Sequence, residues 1–407
     1  MACNSDRTQL PEVNVDRSPQ IVVNQLGYLD KWPKIALLLN AKENSLTSRF
    51  ELVDLASNEP VTLLQPKEAC LDSASGDVIH SLDFSSVSKH GFYLLRGAGL
   101  QAPLVRIGRD AYFAALKKLL RSYYLQRCGI AVEDSATGIA HPPCHVKDGI
   151  IAHNDALHKA GDKIKATGGW HDAGDYGKYI ATTAVTVGRL LSLFEQYPHR
   201  FTDGQLDIPE SGNGMPDLLD EMRFGLDWML TMQRKDGAVY RKLSGKAWPP
   251  LIPPDEDTQP RYVYGIFTPE IAKFAASFAI AARVYLPFDS TYANICLKTA
   301  QKAWDYLEKN QDFYIDFHEG DNSGSGPYTY SEIDTEAVLL TDVDDRFWAA
   351  SELFLAVHQQ KYHDFMLRHI AGMEFGLFEW KKPASLGMMN YLSRTSLIRS
   401  RPLTKVI

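Results

Sequence analysis

Two aspartates three residues apart, Asp172 and Asp175, are the side chains of this protein best equipped for chemistry. They lie in Gly168-Gly169-Trp170-His171-Asp172-Ala173-Gly174-Asp175-Tyr176-Gly177-Lys178-Tyr179, just before an apolar helical pattern. Glycines there permit backbone angles that other residues resist, so the acids can be aimed rather than simply solvated. Hydrolysis of a glycosidic bond with inversion needs one carboxylate to deprotonate water and a second, protonated carboxyl to serve the leaving oxygen, with the water between them. Two acids this close suit a shared grip on one water better than that divided arrangement. Asp175, expected near the helix N-terminus where backbone N–H groups and the dipole favour an ionised acid, is then the base and Asp172 its helper. The plain alternative is an N-cap and a turn aspartate, a frequent use of Asp at helix starts.

A second constellation is Cys128, Cys144, His145 and His171. Two thiols and two imidazoles complete a tetrahedral set of the closed, structural kind. The gaps exceed those of a zinc finger, and residue types alone favour two buried free cysteines and two unrelated histidines. Together with Cys3, Cys70 and Cys296 they make five cysteines, an odd and sparse number for a disulfide framework. Aromatic faces with polar edges bind sugar rings, so Tyr240, Trp248, Tyr262, Tyr264 and Tyr328 are candidate cleft walls, with core packing as the alternative.

The elements that must hold these groups fall into two parts. From Gln20 to about Arg106 short apolar runs alternate with turn residues, as in Lys34 to Leu39, Phe50 to Val53 and Gly91 to Arg96. This predicts a small β-sandwich over 19–107. Beyond Ile107, Ala111 to Leu125, Thr182 to Tyr197, Leu218 to Gln233, Pro269 to Tyr285, Leu297 to Asn310 and Phe347 to Gln359 repeat apolar residues at three- and four-residue spacing. Residues 108–407 therefore read as an all-α domain. The long polar or Pro/Gly-rich stretches Ser244 to Arg261 and Gly320 to Tyr330 are expected to rim a cleft.

The segment Gly168 to Tyr179 resembles the signature of glycoside hydrolase family 9, in which the second Asp of Asp-Ala-Gly-Asp is the catalytic base and the first assists it. Val23-Asn24-Gln25-Leu26-Gly27-Tyr28 resembles the opening of the immunoglobulin-like module that precedes many of these catalytic domains. Glu210 to Glu221 and Asp344 to Leu353 resemble family helices. The resemblance implies an immunoglobulin-like sandwich followed by an (α/α)6 toroid, and an endo-β-1,4-glucanase, or cellulase, acting on β-glucan polysaccharide or oligosaccharide. It reverses the preference at the cysteines, because a subgroup of the family builds a structural zinc site from a Cys, a Cys-His pair and the His before the Asp motif. Calcium is expected near Asp342, Asp344 and Asp345, although Asp345 stands where the family usually has Glu. Asp236 to Lys242 resembles a segment that enters the cleft, with Arg241 where a His is common. The substrate-binding set is thus Tyr240, Arg241, Trp248 and Tyr328.

The family's general acid, a Glu, and a His-rich substrate motif belong nearer the C-terminal end. No His follows His369, Glu374 and Glu379 lie in a stretch that resembles an earlier helix, and residues 394–407 carry Arg394, Arg399, Arg401 and Lys405 with no acid and no helical pattern. The expectation is a toroid incomplete at its C-terminal end and impaired in turnover. An exo-acting glucosidase or glucosaminidase of the same family, or a carbohydrate-binding protein without turnover, are the rival readings.

Composition agrees with a polar, uncharged substrate. The 407 residues are 45% hydrophobic and 23% charged with a formal charge of −7, which offers no basic field for nucleic acid. No apolar run of about 18 residues spans a bilayer. Met1-Ala2-Cys3-Asn4-Ser5 looks like the remnant of a lipoprotein cleavage site, so an extracytoplasmic location, secreted, periplasmic or lipid-anchored, is expected.

Overall fold

The computed structural model describes residues 17–42, 46–325 and 340–400. Contacts divide the chain into two compact units, with the boundary between Leu119 and Leu120.

The first unit is a β-sandwich. Strands β1 (Gln20–Val22), β2 (Ile35–Leu39), β3 (Phe50–Asp54), β4 (Glu59–Leu64), β5 (Cys70–Leu71), β6 (Val78–Asp83), β7 (Gly91–Gly97), β8 (Leu100–Gln101) and β9 (Val105–Ile107) form two antiparallel sheets. One has the order β1-β2-β6-β5, the other β4-β3-β7-β8 with β9 also on β7. Along β2 and β7 every second side chain is buried, the period of a strand with one wet face. Ala36, Leu38 and Leu82 from one sheet meet Phe50, Leu52, Tyr93 and Leu95 from the other in a single core.

The second unit is built on helices. Helix α1 (Phe113–Leu125) runs across the boundary, and α2 (Ile180–Gln196), α3 (Asp217–Thr231), α4 (Thr268–Tyr285), α5 (Ser290–Lys309), α6 (Val343–Val357), α7 (Gln360–His369) and α8 (Ala384–Ser400) follow it. Alternate helices touch in series, α2 on α4, α4 on α6 and α6 on α8, while α5 and α7 pack on α4 and α6. This alternation makes an inner and an outer layer. Every residue of α4 except Arg283 is buried, as expected of a helix that is apolar all round and enclosed by others. Two glycines bring the inner layer together: a Cβ on Gly387 would lie 2.9 Å from Ser351 Oγ, and one on Gly188 would meet the Trp348 ring.

Two expectations need correction. The second unit is not purely α, because it carries a four-stranded sheet of order β12-β15-β14-β13, where β12 is Ile150–Ile151, β13 Lys178–Tyr179, β14 Tyr240–Ser244 and β15 Tyr262–Ile266. A small hairpin, β10 (Val132–Asp134) with β11 (Ile139–His141), accompanies it. Strands of two residues are too short to leave a period in the sequence. Residues 394–400, read as lacking a helical pattern, continue α8. That helix shows no single apolar stripe, so its place against α6 rather than its periodicity makes it form.

Candidate active site

The Asp172 turn is not itself the start of α2. Asp172 N–H donates to the Gly177 carbonyl at 2.9 Å, Tyr176 N–H donates to the Ala173 carbonyl, and the chain then enters β13 before α2 begins at Ile180. The helix dipole is therefore not what holds Asp175, contrary to expectation. Its Oδ1 accepts the Gly177 N–H at 3.1 Å and its Oδ2 accepts the Tyr179 hydroxyl. A Cβ on Gly177 would strike the Tyr179 ring, so glycine is needed for that hydroxyl to reach the acid. Asp175 is 4% exposed, whereas Asp172 is open to solvent. The protein around Asp172, followed by the charge of Asp175, raises its carboxyl above the usual carboxylate range.

Trp170 and α3 brace this turn from behind. Trp170 Nε1 donates to Glu221 Oε1 at 2.8 Å, and Glu221 with Glu210 is held by the buried Arg127 at 2.9–3.1 Å. The Trp170 ring lies where a Cβ on Gly225 would go. In the first turn of α3, Asp217 caps the loop before it, accepting from Gly204 N–H, Leu206 N–H and the Ser211 hydroxyl. Its neighbour Asp220 accepts one bond, from Asn213, and its other oxygen is buried without a partner. Burial, only partly opposed by Asn213, pushes the Asp220 carboxyl up to about 6. From its ordinary 3.8 to about 6 the folded chain keeps a proton that the unfolded chain has released. Stability contributed at Asp220 therefore falls as pH rises through that window. Asp220→Asn is expected to flatten this stretch of a urea-midpoint profile and to gain stability at pH 7 relative to pH 4; an unchanged slope would refute the assignment.

The four cysteine and histidine side chains converge. Their ligand atoms all lie within 4.8 Å of one another. His145 Nδ1 is 3.2 Å from His171 Nε2, Cys144 Sγ 3.4 Å from His171 Nε2, and Cys128 Sγ 3.7 Å from His145 Nδ1. A tetrahedral ion with metal–nitrogen bonds of about 2.0–2.1 Å and metal–sulfur bonds of about 2.3 Å has N–N edges of about 3.3 Å and N–S edges of about 3.6 Å. The observed spacings are those of such an ion's shell. The thiols are pushed apart in acidity, Cys128 well down through its contact with Cys144 and Cys144 well up through its contact with Cys128. Outside the four, His145 Nε2 meets Asp257 Oδ2 at 3.3 Å, as metal-binding imidazoles usually meet a carboxylate. Asp148 ties the cluster to the base loop: it faces Cys128 at 4.0 Å and pairs with Lys178 Nζ at 2.8 Å and Arg261 at 3.4 Å. His145 and Tyr176 both have left-handed backbones, φ +50° and +52°, which non-glycine residues hold only where the surroundings enforce them.

The predicted substrate residues fare differently. Trp248 is 52% exposed in the loop after β14. Tyr240 and Arg241 are 3% and 0% exposed, turned inward rather than toward a cleft. The Tyr240 hydroxyl donates to Asp155, which also pairs with Arg234, and Arg241 lies 3.8 Å from Asp321 with its guanidinium over the Phe267 ring at 4.6 Å. They brace the sheet and its loops. Tyr264 is buried as well, Tyr262 is half-buried, and Tyr328 lies outside the described residues. The expected calcium acids do not assemble among the described residues. Asp345 Oδ1 sits 2.7 Å from the buried Lys273 Nζ on α4, and Asp342 Oδ2 lies 2.9 Å from Arg346, so two of the three already face cations of the protein.

Sequence reasoning passed over Tyr179, Lys242 and Ser325. Tyr179 pairs in register with Lys242 across β13 and β14, and Lys242 Nζ donates to the Asp321 carbonyl at 2.6 Å and to Ser325 Oγ. The only sequence signal was the place of Tyr179 four residues beyond Asp175.

Residues 112–401 match the model of glycosyl hydrolase family 9, and residues 16–102 that of the cellulase N-terminal immunoglobulin-like domain. Endoglucanase D of Acetivibrio thermocellus is 32% identical over 332 residues, which are 79% of this chain and 50% of that protein. A metagenome-derived family 9 endoglucanase of known structure superposes with a TM-score of 0.83 at 41% identity, covering 94% of this chain and 71% of the other. A zinc-binding triple mutant of another family 9 endoglucanase does so at 0.82 and 38%, covering 89% and 67%. The chain spans about half the length of the curated endoglucanase it matches.

Proposed function

Because the chain belongs to glycosyl hydrolase family 9, we propose that it is an endo-β-1,4-glucanase that cleaves β-glucan with inversion at the anomeric carbon. The observation that carries this reading is the unlike setting of its two neighbouring aspartates. Asp175 is buried with both oxygens engaged, and Asp172 beside it is open to solvent. Asp175 takes the proton of the attacking water as its oxygen bonds to the anomeric carbon, and Asp172 orients that water. The exposed Trp248 offers a ring face to a sugar. We assign zinc to Cys128, Cys144, His145 and His171; such a closed set is structural, and its role is to hold His171 and with it the adjoining Asp172.

The leaving oxygen needs its own proton donor. Across a series of aryl β-cellobiosides the leaving-group dependence reads whether such a donor acts: a drop of about 10² to 10⁴-fold from a dinitrophenol to a phenol leaving group means departure without one. The first-formed sugar, followed by NMR, is expected to be the α-anomer. A flat leaving-group dependence would show that a donor is at work, and a β-anomeric product would overturn the inverting mechanism.

A further inference from the structure

The geometry points to a second tier behind the base, a chain of buried polar side chains from Lys242 through Ser325 and Tyr179 to Asp175, in which Tyr179 and Lys242 are positioning residues for the carboxylate. Lys242 Nζ donates to Ser325 Oγ, Ser325 acts on the Tyr179 hydroxyl in the sense that lowers its pKa, and Tyr179 donates to Asp175 Oδ2. Tyr179 and Lys242 are opposite one another in the β13–β14 register, so the sheet itself sets their separation.

Every member is buried: Asp175 and Ser325 are 4% exposed, Tyr179 6% and Lys242 0%. Burying a lysine is expensive unless its N–H groups are used, and here they are used on the Asp321 carbonyl and Ser325 while Nζ sits 4.7 Å from the centre of the Tyr264 ring. Burial and then Arg241 push the Lys242 amine down to about 6, against the pull of Asp321 and Asp175. An amine in either protonation state donates to Ser325. Burial, followed by Asp175, drives the Tyr179 phenol far up, which keeps its hydrogen available to the acid. Among the described residues the charged and titratable groups facing the chain are Asp172, Arg241, Asp321 and Tyr264.

The consequence is orientational. With Oδ1 on Gly177 N–H and Oδ2 on Tyr179, the Asp175 carboxylate cannot rotate without breaking a bond, so its remaining lone pairs keep one aim. None of the four cysteine and histidine side chains of the cluster belongs to this chain.

The role in turnover rests on the base assignment above, and two measurements keep the readings apart. With 2,4-dinitrophenyl β-cellobioside, Tyr179→Phe and Lys242→Met are each expected to lower kcat about tenfold, the worth of one hydrogen bond to a charged group, with KM unchanged. The acidic limb of the rate profile is expected to move to higher pH in both. Losses in kcat matched by a rise in KM, or limbs that stay in place, would overturn the proposal. Independently of turnover, urea midpoints for Asp175→Asn, Tyr179→Phe and the double variant are expected to be non-additive, and likewise for Asp175→Asn with Lys242→Met. Additive midpoints would refute the chain even in a protein without activity. Absent hydrolysis with non-additive midpoints would instead refute the catalytic reading alone. Should Lys242→Met fail to fold, Ser325→Ala interrupts the same chain.

Discussion

Asp175→Asn is expected to cut hydrolysis of 2,4-dinitrophenyl β-cellobioside by about 10² to 10⁴-fold while leaving the fold intact. The substrate matters, because its leaving group departs without a proton and the measured step then depends on the base. The substitution is nearly isosteric: the amide oxygen still accepts the Gly177 N–H, its NH2 meets the Tyr179 hydroxyl, which can accept as well as donate, and what disappears is the capacity to take a proton from water. Asp172→Asn is expected to lose less, since an amide can still orient a water that Asp175 deprotonates. If Asp175→Asn retains full activity, or if Asp172→Asn proves the more damaging, the assignment of base and helper fails. Circular dichroism and a urea midpoint on each variant separate lost chemistry from lost structure.

Removal of the metal carries the second large effect. A ligand that binds only the folded chain stabilises it by about 4 kcal/mol when present at a thousandfold excess over its dissociation constant. Zinc-loaded protein is therefore expected to lose about that much stability on transfer to a strong chelator, and to regain it with one equivalent of zinc per chain. Cys144→Ser is expected to abolish the response to chelator, and His171→Ala to do the same while also loosening the turn at Asp172, its immediate neighbour. Asp257→Asn is expected to weaken zinc binding about 10 to 100-fold with the four ligands intact, because its carboxylate meets the far nitrogen of His145. Absence of stoichiometric uptake in metal-stripped protein would sink the zinc assignment outright.

The two effects are linked through the architecture. Lys178 reaches Asp148 beside the cysteine cluster with its side chain, while its neighbour Tyr179 reaches Asp175. One two-residue strand thus joins the metal cluster to the base from opposite faces, as the alternation of a strand requires. Loss of the metal is expected to disturb catalysis by this route without any ligand touching the substrate.

Much of this was legible in the residues. The alternating runs between Gln20 and Arg106 mark a sandwich because a strand with one wet face must alternate, and Pro269 to Tyr285 marks a helix because its apolar positions recur at helical spacing. The aspartate pair could be read from residue type and spacing, since two acids stand among the four glycines of Gly168 to Tyr179, which let them be aimed. Other features had no local signature. Tyr240 and Arg241 looked like cleft residues and are buried braces, because an inward or outward aim in a five-residue strand depends on what lies on each face. Asp345 looked like a cation ligand and faces Lys273, 72 positions earlier in the chain and adjacent only once α4 and α6 pack. The convergence of Cys128, Cys144, His145 and His171, and the chain from Lys242 to Asp175, join residues far apart in sequence. Composition and period determine which segments become strands and helices; which side chains meet is decided by packing, because a contact across the fold has no period to betray it.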